Sequence, residues 1–414
     1  MAIPFQRHIL TNGLHLIVHE DPTTPLAACN LIYKVGSRDE HPDHTGMAHL
    51  FEHYMFCGSK NIPDYDVPLQ KIGAVNNAYT SQDHTHYYIV LPANNLETAL
   101  WLESDRMLSL AFEQQGLDTQ KQVVIEEFKE VCLNRPFGDL WSMFNDFVFE
   151  KYPYKWFPIG KKISHIEEVT MDMMKKFFFH FYRPDNAVLV IGGNVHFDEV
   201  VELVEKWFGD IPAGDGVVKN FPEEPVRTKA KFLEVQREVP YDMLLKGWVM
   251  PDRLHPDFYA YDMLSDLFSS GQSSYLYKKF VTDNHLFTDL SMTVSGAAGP
   301  NLFALVARPA EDVPIEDANA RLNQFLYQDF CYDDSLTIDL QKVKNKNESA
   351  LLENEIKLES RTSILAVSES VSRIEDFEND EQKYRAITET QIRRITADLF
   401  QPQKECTLFY KSSR

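Results

Sequence analysis

Cysteine is scarce and scattered. Cys29, Cys57, Cys132, Cys331 and Cys406 are the 5 in 414 residues, and no two form a Cys-x-x-Cys pair. That spacing excludes a disulfide framework and predicts reduced thiols, mostly buried. Long apolar runs are lacking too. No stretch reaches the roughly 18 apolar residues a membrane helix needs, and Met1–Leu10 has no apolar core of a signal peptide. A chain without a membrane segment is expected, cytoplasmic as written and periplasmic if a leader has been removed. Basic residues are outnumbered, 41 Lys+Arg against 62 Asp+Glu, for a net charge of −21. That excludes nucleic acid, which needs a basic footprint. It suits neutral or basic peptides.

What is present is ordinary for a globular chain: 44% hydrophobic and 25% charged residues. The length favours two cores over one. Residues 5–20 alternate around Asn12-Gly13, which predicts a hairpin with a two-residue turn. Strands are expected at 26–35, 75–80, 84–92 and 187–191, with helices between and after them. The Gly- and Pro-bearing stretch 211–228 reads as a linker. Strands near 231–238, 243–250, 287–295, 302–308 and 406–410 then repeat the order with helices. The expected fold class is α+β, two homologous α/β-sandwich domains of about 200 residues each, at 1–210 and 229–414.

The chemistry concentrates in Gly46–Gly58. His49 and His53 stand four apart, which stacks two imidazoles on one helix face. Neutral imidazoles suit zinc, and Glu52 between them can take a proton from a water that the metal binds. Chance supplies on the order of 0.04 copies of His-x-x-Glu-His in such a chain. Thr45 can cap this helix and Gly58 can end it. The second half has no such motif. A third ligand is sought in the helical stretch 120–131. Glu126 and Glu130 share a polar stripe, whereas Glu127 shares its face with Val123, Val124 and Val131. A carboxylate on an apolar face needs a partner or a metal, which singles out Glu127. Cys57, a turn beyond His53, is the weaker candidate.

His49-x-x-Glu52-His53 with a distant Glu127 resembles the pitrilysin/insulinase family of zinc peptidases, the inverzincins. Gly36-Ser37-Arg38-Asp39-Glu40, Asn76–Ser81, Arg183–Val190 and Ser269–Ser274 resemble other parts of that family. The resemblance implies Zn2+ held by His49, His53 and Glu127, with Glu52 as general base in the hydrolysis of peptides or unfolded segments. It implies a clamshell chamber closed by two chains, a homodimer or a heterodimer with a same-family partner. It implies substrate binding along Asn77, Ala78 and Tyr79 as an added strand, with Phe137 lining a pocket. Core packing is the competing role for Phe137. Two departures stand out. Gln120 replaces the family's usual second acid, and Val281 and Thr288 occupy positions where relatives carry Arg and Tyr. The alternative is a non-catalytic or weakly active subunit of a heterodimeric processing peptidase.

Overall fold

A computed structural model describes residues 3–330 and 336–413, with the side chains of 336–339 left aside; Cys331 lies outside the described residues. Five helices matter below: α1 (Met47–Tyr54), α2 (Gln114–Phe128), α3 (Leu140–Val148), α4 (Phe258–Ser269) and α5 (Leu358–Val371).

The chain forms two compact units. The first comprises Met1–Glu130, Trp156–Asn220 and Leu352–Asn379; the second comprises Val131–Lys155, Phe221–Leu351 and Asp380–Arg414. The step at 220/221 lies within the stretch expected as a linker. Residues 131–155 and 352–379, however, each sit in the unit opposite to the one their place in the chain suggests.

The first unit holds one mixed sheet in the order β1-β2-β6-β3-β5-β4. Its strands are β1 (Gln6–Ile9), β2 (His15–Glu20), β3 (Leu26–Tyr33), β4 (Val75–Thr80), β5 (Thr85–Pro92) and β6 (Ala187–Gly193). β2 and β6 run parallel, and the other pairs are antiparallel. The β1–β2 connection is longer than the two-residue turn expected from Asn12-Gly13. The Gly13 amide donates to the Leu10 carbonyl, and Gly13 sits at φ 88°. This is a three-residue loop ending in a left-handed glycine.

The central strands are apolar on both faces, as a sheet covered on both sides requires. Leu16, Val18, Cys29, Leu31, Leu189 and Ile191 face the main core, which α1 and α2 help to form. Ile17, Ile32, Val188 and Val190 face the other way, onto Leu365 and Ala366 of α5. α5 crosses β6 at Gly192, where a Cβ would lie 2.3 Å from Thr362 Cγ2.

The second unit repeats the plan with one strand fewer, in the order β7-β11-β8-β10-β9. These are β7 (Lys231–Arg237), β8 (Met243–Met250), β9 (Phe287–Val294), β10 (Asn301–Pro309) and β11 (Cys406–Ser412). β7 and β11 run parallel and the rest antiparallel, matching β2 and β6 with their neighbours. One face packs on α4 through Leu244, Trp248, Phe303 and Leu305. The opposite face packs Leu245, Leu302, Ala304 and Leu408 on Leu140, Phe144 and Val148 of α3. α3 also crosses its sheet at a glycine: a Cβ on Gly247 would lie 2.8 Å from Phe144 Cζ. Each half of the sequence therefore lends one helix to the other half's sheet.

No disulfide joins the four described cysteines; Cys29 and Cys406 are buried, Cys57 and Cys132 partly so. No helix among the described residues is long and apolar enough to cross a membrane.

Candidate metal centre

α1 forms because Met47, Ala48, Leu50, Phe51 and Tyr54 bury one face in the core of the first unit. His49 and His53 are left on the remaining face, half-buried, with side chains 13% and 24% exposed. Their Nε2 atoms approach to 3.2 Å. Burial, followed by the neighbouring His53, pushes His49 down to about 4, which keeps its imidazole neutral and able to bind a metal.

Thr45 does not cap this helix. The cap position is Gly46, at φ 90° and without a side chain. The Thr45 hydroxyl instead accepts from the Lys161 amide and bonds His165 Nδ1. The exposed N–H groups of α1 are met by Glu40, whose Oε2 accepts from Gly46 N (3.0 Å) and whose Oε1 accepts from Ala48 N (2.8 Å). Trp156 Nε1 donates to the same carboxylate at 3.1 Å. Burial pushes Glu40 up to about 8, against the pull of these three donors. At its other end α1 tightens into a 3₁₀ turn, Met55–Cys57, closed by Gly58 at φ 96°.

Glu127 lies in the last turn of α2. Its Oε2 is 3.7 Å from His49 Nε2 and 3.6 Å from His53 Nε2. The argument from an apolar face needs correcting: Val124 is buried, but Val123 and Val131 are 45% and 37% exposed, and the Glu127 side chain is 41% exposed. Convergence on the two imidazoles sets Glu127 apart, while Glu126 is engaged with Lys129 at 2.7 Å. Among the described residues, His49, His53 and Glu127 are the one group of three whose donor atoms lie close enough to share a metal ion, within 4.8 Å. Tetrahedral zinc with ligands at about 2.05 Å spaces its donors by about 3.3 Å. Separations of 3.2, 3.6 and 3.7 Å fit that ion with little movement. Nδ1 of His49 is buried and meets no hydrogen-bond partner among the described residues.

Glu52 is buried at 7% exposure, and burial pushes its carboxyl up to about 7. Its Oε2 accepts from the Thr80 hydroxyl at 2.6 Å. Sequence reasoning took in the strand of Thr80 but not this contact.

β4 is the end strand of its sheet, hydrogen-bonded only to β5 among the described strands. Its burial alternates, with Asn76, Ala78 and Thr80 turned in and Val75, Asn77 and Tyr79 exposed. The Tyr79 hydroxyl lies 3.1 Å from Nδ1 of buried His86, whose Nε2 is 2.9 Å from Asn30 Oδ1. Phe137 belongs to the second unit and packs its ring on Tyr241 and Tyr410, at 5.0 and 5.6 Å. Gln120 hydrogen-bonds Cys57. Val281 falls in the π-helix Tyr277–Asp283 and Thr288 near the start of β9.

Two family descriptions match the chain: "Insulinase (Peptidase family M16)" over residues 15–136 and "Peptidase M16 inactive domain" over residues 168–328. The zinc protease PqqE of Helicobacter pylori is 27% identical over 414 residues, covering 97% of this chain and 91% of that protein. The mitochondrial-processing peptidase subunit beta of Saccharomyces cerevisiae is 28% identical over 218 residues, covering 50% of this chain and 45% of its own length. A crystal structure of a protease from Helicobacter pylori, 25% identical, superposes with a TM-score of 0.92, covering 99% of this chain and 100% of that one.

Proposed function

The chain belongs to the insulinase family of zinc peptidases, peptidase family M16, and on that premise we propose that it is a zinc-dependent endopeptidase acting on peptides or unfolded segments. The observation that carries this reading is the convergence of His49, His53 and Glu127 beside the buried carboxyl of Glu52. These three side chains would hold the ion and leave an open position. A bound zinc ion would supply Lewis acidity toward a water and a peptide carbonyl. Glu52 would accept the proton of the attacking water and deliver it to the leaving amine. Thr80 orients Glu52 through its hydroxyl. The free edge of β4 at Asn77, Ala78 and Tyr79 would take the substrate as an added strand, using backbone hydrogen bonds that do not read sequence. Substrate would then lie beside Thr80, and through it beside Glu52.

The partner in this reading is a second chain of the same family, identical or not, that completes a chamber. A chain without catalysis is the second reading. It is favoured by the description of the 168–328 match as an inactive domain and by the likeness to one subunit of a processing peptidase.

Metal analysis and peptide hydrolysis test the proposal together. Wild type purified without added zinc should carry one zinc per chain and cleave an unstructured peptide. Glu127→Gln should lose most of both. A metal-free wild type, or Glu127→Gln with zinc held as tightly, would overturn the ligand assignment.

A further inference from the structure

We infer that Glu40 is a positioning residue that locks the helix bearing His49, Glu52 and His53 to the end of strand β4. This rests on the peptidase reading above for its consequence, though not for its geometry. α1 begins at a glycine, which has no side chain to satisfy the first amides, so the helix start depends on an acceptor from elsewhere. Glu40 supplies both oxygens of one carboxylate, to Gly46 N and Ala48 N.

The same loop grips β4. Ser37 N donates to Ser81 O (3.1 Å) and Arg38 N to Gln82 O (3.0 Å), directly after the last residue of the strand. Arg38 pairs with Asp83 at 2.6 Å. A Cβ on Gly36 would lie 2.5 Å from Ser81 O, so the approach is one that only glycine permits. Trp156 closes the bracket: its Nε1 donates to Ser37 O at 2.8 Å and to Glu40 Oε2 at 3.1 Å. Five residues, Gly36 to Glu40, thus hold the helix with the metal donors and the strand with Thr80 in one frame. The Thr80–Glu52 hydrogen bond spans the two parts so held. The hydrogen bonds of Glu40 run to Gly46, Ala48 and Trp156 and not to the candidate ligands, so Glu40 acts through the placement of α1.

Four full-length chains decide it: wild type, Glu40→Gln, Glu40→Asp and Trp156→Phe. The first readout is amide hydrogen exchange of residues 46–54 in the metal-free protein. Gln turns an N–H₂ toward a backbone donor, so α1 amides should exchange roughly 10-fold faster while β3 and β6 amides keep their rates. Zinc affinity, by competition with a chromophoric chelator, should fall by about 10- to 100-fold, the range for groups that orient ligands. The visible spectrum of the cobalt(II)-substituted protein should shift. With a peptide substrate, kcat should drop while KM stays within about twofold. Glu40→Asp should restore part of each, and Trp156→Phe should move each in the same direction by less. Unchanged α1 exchange in Glu40→Gln would overturn the inference, whatever the melting temperature. If Glu40→Gln fails to fold, unchanged exchange in both Glu40→Asp and Trp156→Phe would overturn it equally. A wild type that takes up no zinc would sink the peptidase reading alone, because exchange in the metal-free chain still measures the bracket.

Discussion

The two units share one strand order and differ in what stands beside the end strand. In the first, α1 packs on β4 and carries two imidazoles and a buried carboxyl. In the second, α4 packs on β9 and carries no histidine at all. α4 is tied to β9 by Ser269, whose Oγ bonds the backbone N and O of Met292. In the first unit the corresponding tie runs from Thr80 to Glu52. The second unit keeps its helix, end strand and core with no group of metal donors among its described residues. The donor set is therefore dispensable to this architecture.

Four experiments would break or sharpen that contrast. The largest effect is expected from Glu52→Gln, which removes the buried carboxyl of the helix that carries the two imidazoles. Peptide hydrolysis should fall by roughly 10²–10⁴ with zinc content and melting temperature nearly unchanged. Residual activity above a tenth of wild type would take Glu52 out of the role of base.

The second unit has its own buried charge, and there the expected effect is on stability. Lys246 is fully buried and pairs with Glu405 at 2.7 Å, while Thr407 and Tyr327 donate to the same carboxylate. Burial pushes Lys246 down to about 8. Lys246→Met strands Glu405 and should cost about 3–5 kcal/mol by chemical denaturation. Lys246→Met combined with Glu405→Gln should recover part of that loss. A single variant as stable as wild type would mean that the pair is not held as described.

Acid should act on the first unit. Burial pushes His86 down to about 3 and His84 to about 4, from an ordinary 6.5. Between about 6.5 and those values the unfolded chain binds protons that the folded chain refuses. Stability therefore falls as pH drops through that window, by about 1.4 kcal/mol per unit for each group. His86→Gln should flatten the slope of stability against pH below 6.5; an unchanged slope would remove His86 as a contributor.

The smallest effects test the two helix crossings against each other. Gly192→Ala sets a methyl against Thr362, and Gly247→Ala sets one against Phe144. Each should destabilise by about 1–3 kcal/mol through overpacking. A neutral result at only one would show that its helix rides higher on the sheet than the other.

The strands and most helices were legible because their apolar periods are local. β6 reads as a continuous apolar run, matching a central strand, whereas the alternation of β4 lies in its burial and not in its sequence. His49 and His53 were legible because the helical period fixes their shared face. Glu127 was singled out on a mistaken premise: its stripe is partly exposed, and the imidazoles it lies beside are connected to it by no local pattern. The contacts of Glu40 with the start of α1 and of Thr80 with Glu52 were missed. The signal for Glu40 was a glycine at the helix start, which demands an outside acceptor without naming one. The alternation of β4 puts Thr80 on the inner face, but only the fold brings Glu52 to it. α3 and α5 were expected as helices, yet an apolar stripe does not say which of two sheets will receive it.

That exchange of helices bears on how the chain is made. The apolar face formed by Ile17, Ile32, Val188 and Val190 is complete once residue 193 has left the ribosome, but its cover, α5, is not synthesised until residue 371. At about 5–20 residues per second the nascent chain carries that bare face for on the order of 10–40 seconds. Contacts between β6 and α5 span more than a third of the sequence, which slows folding as well. A newly made chain thus exposes an apolar face of the kind chaperones bind, and the first unit cannot close before most of the second unit's sequence has been read.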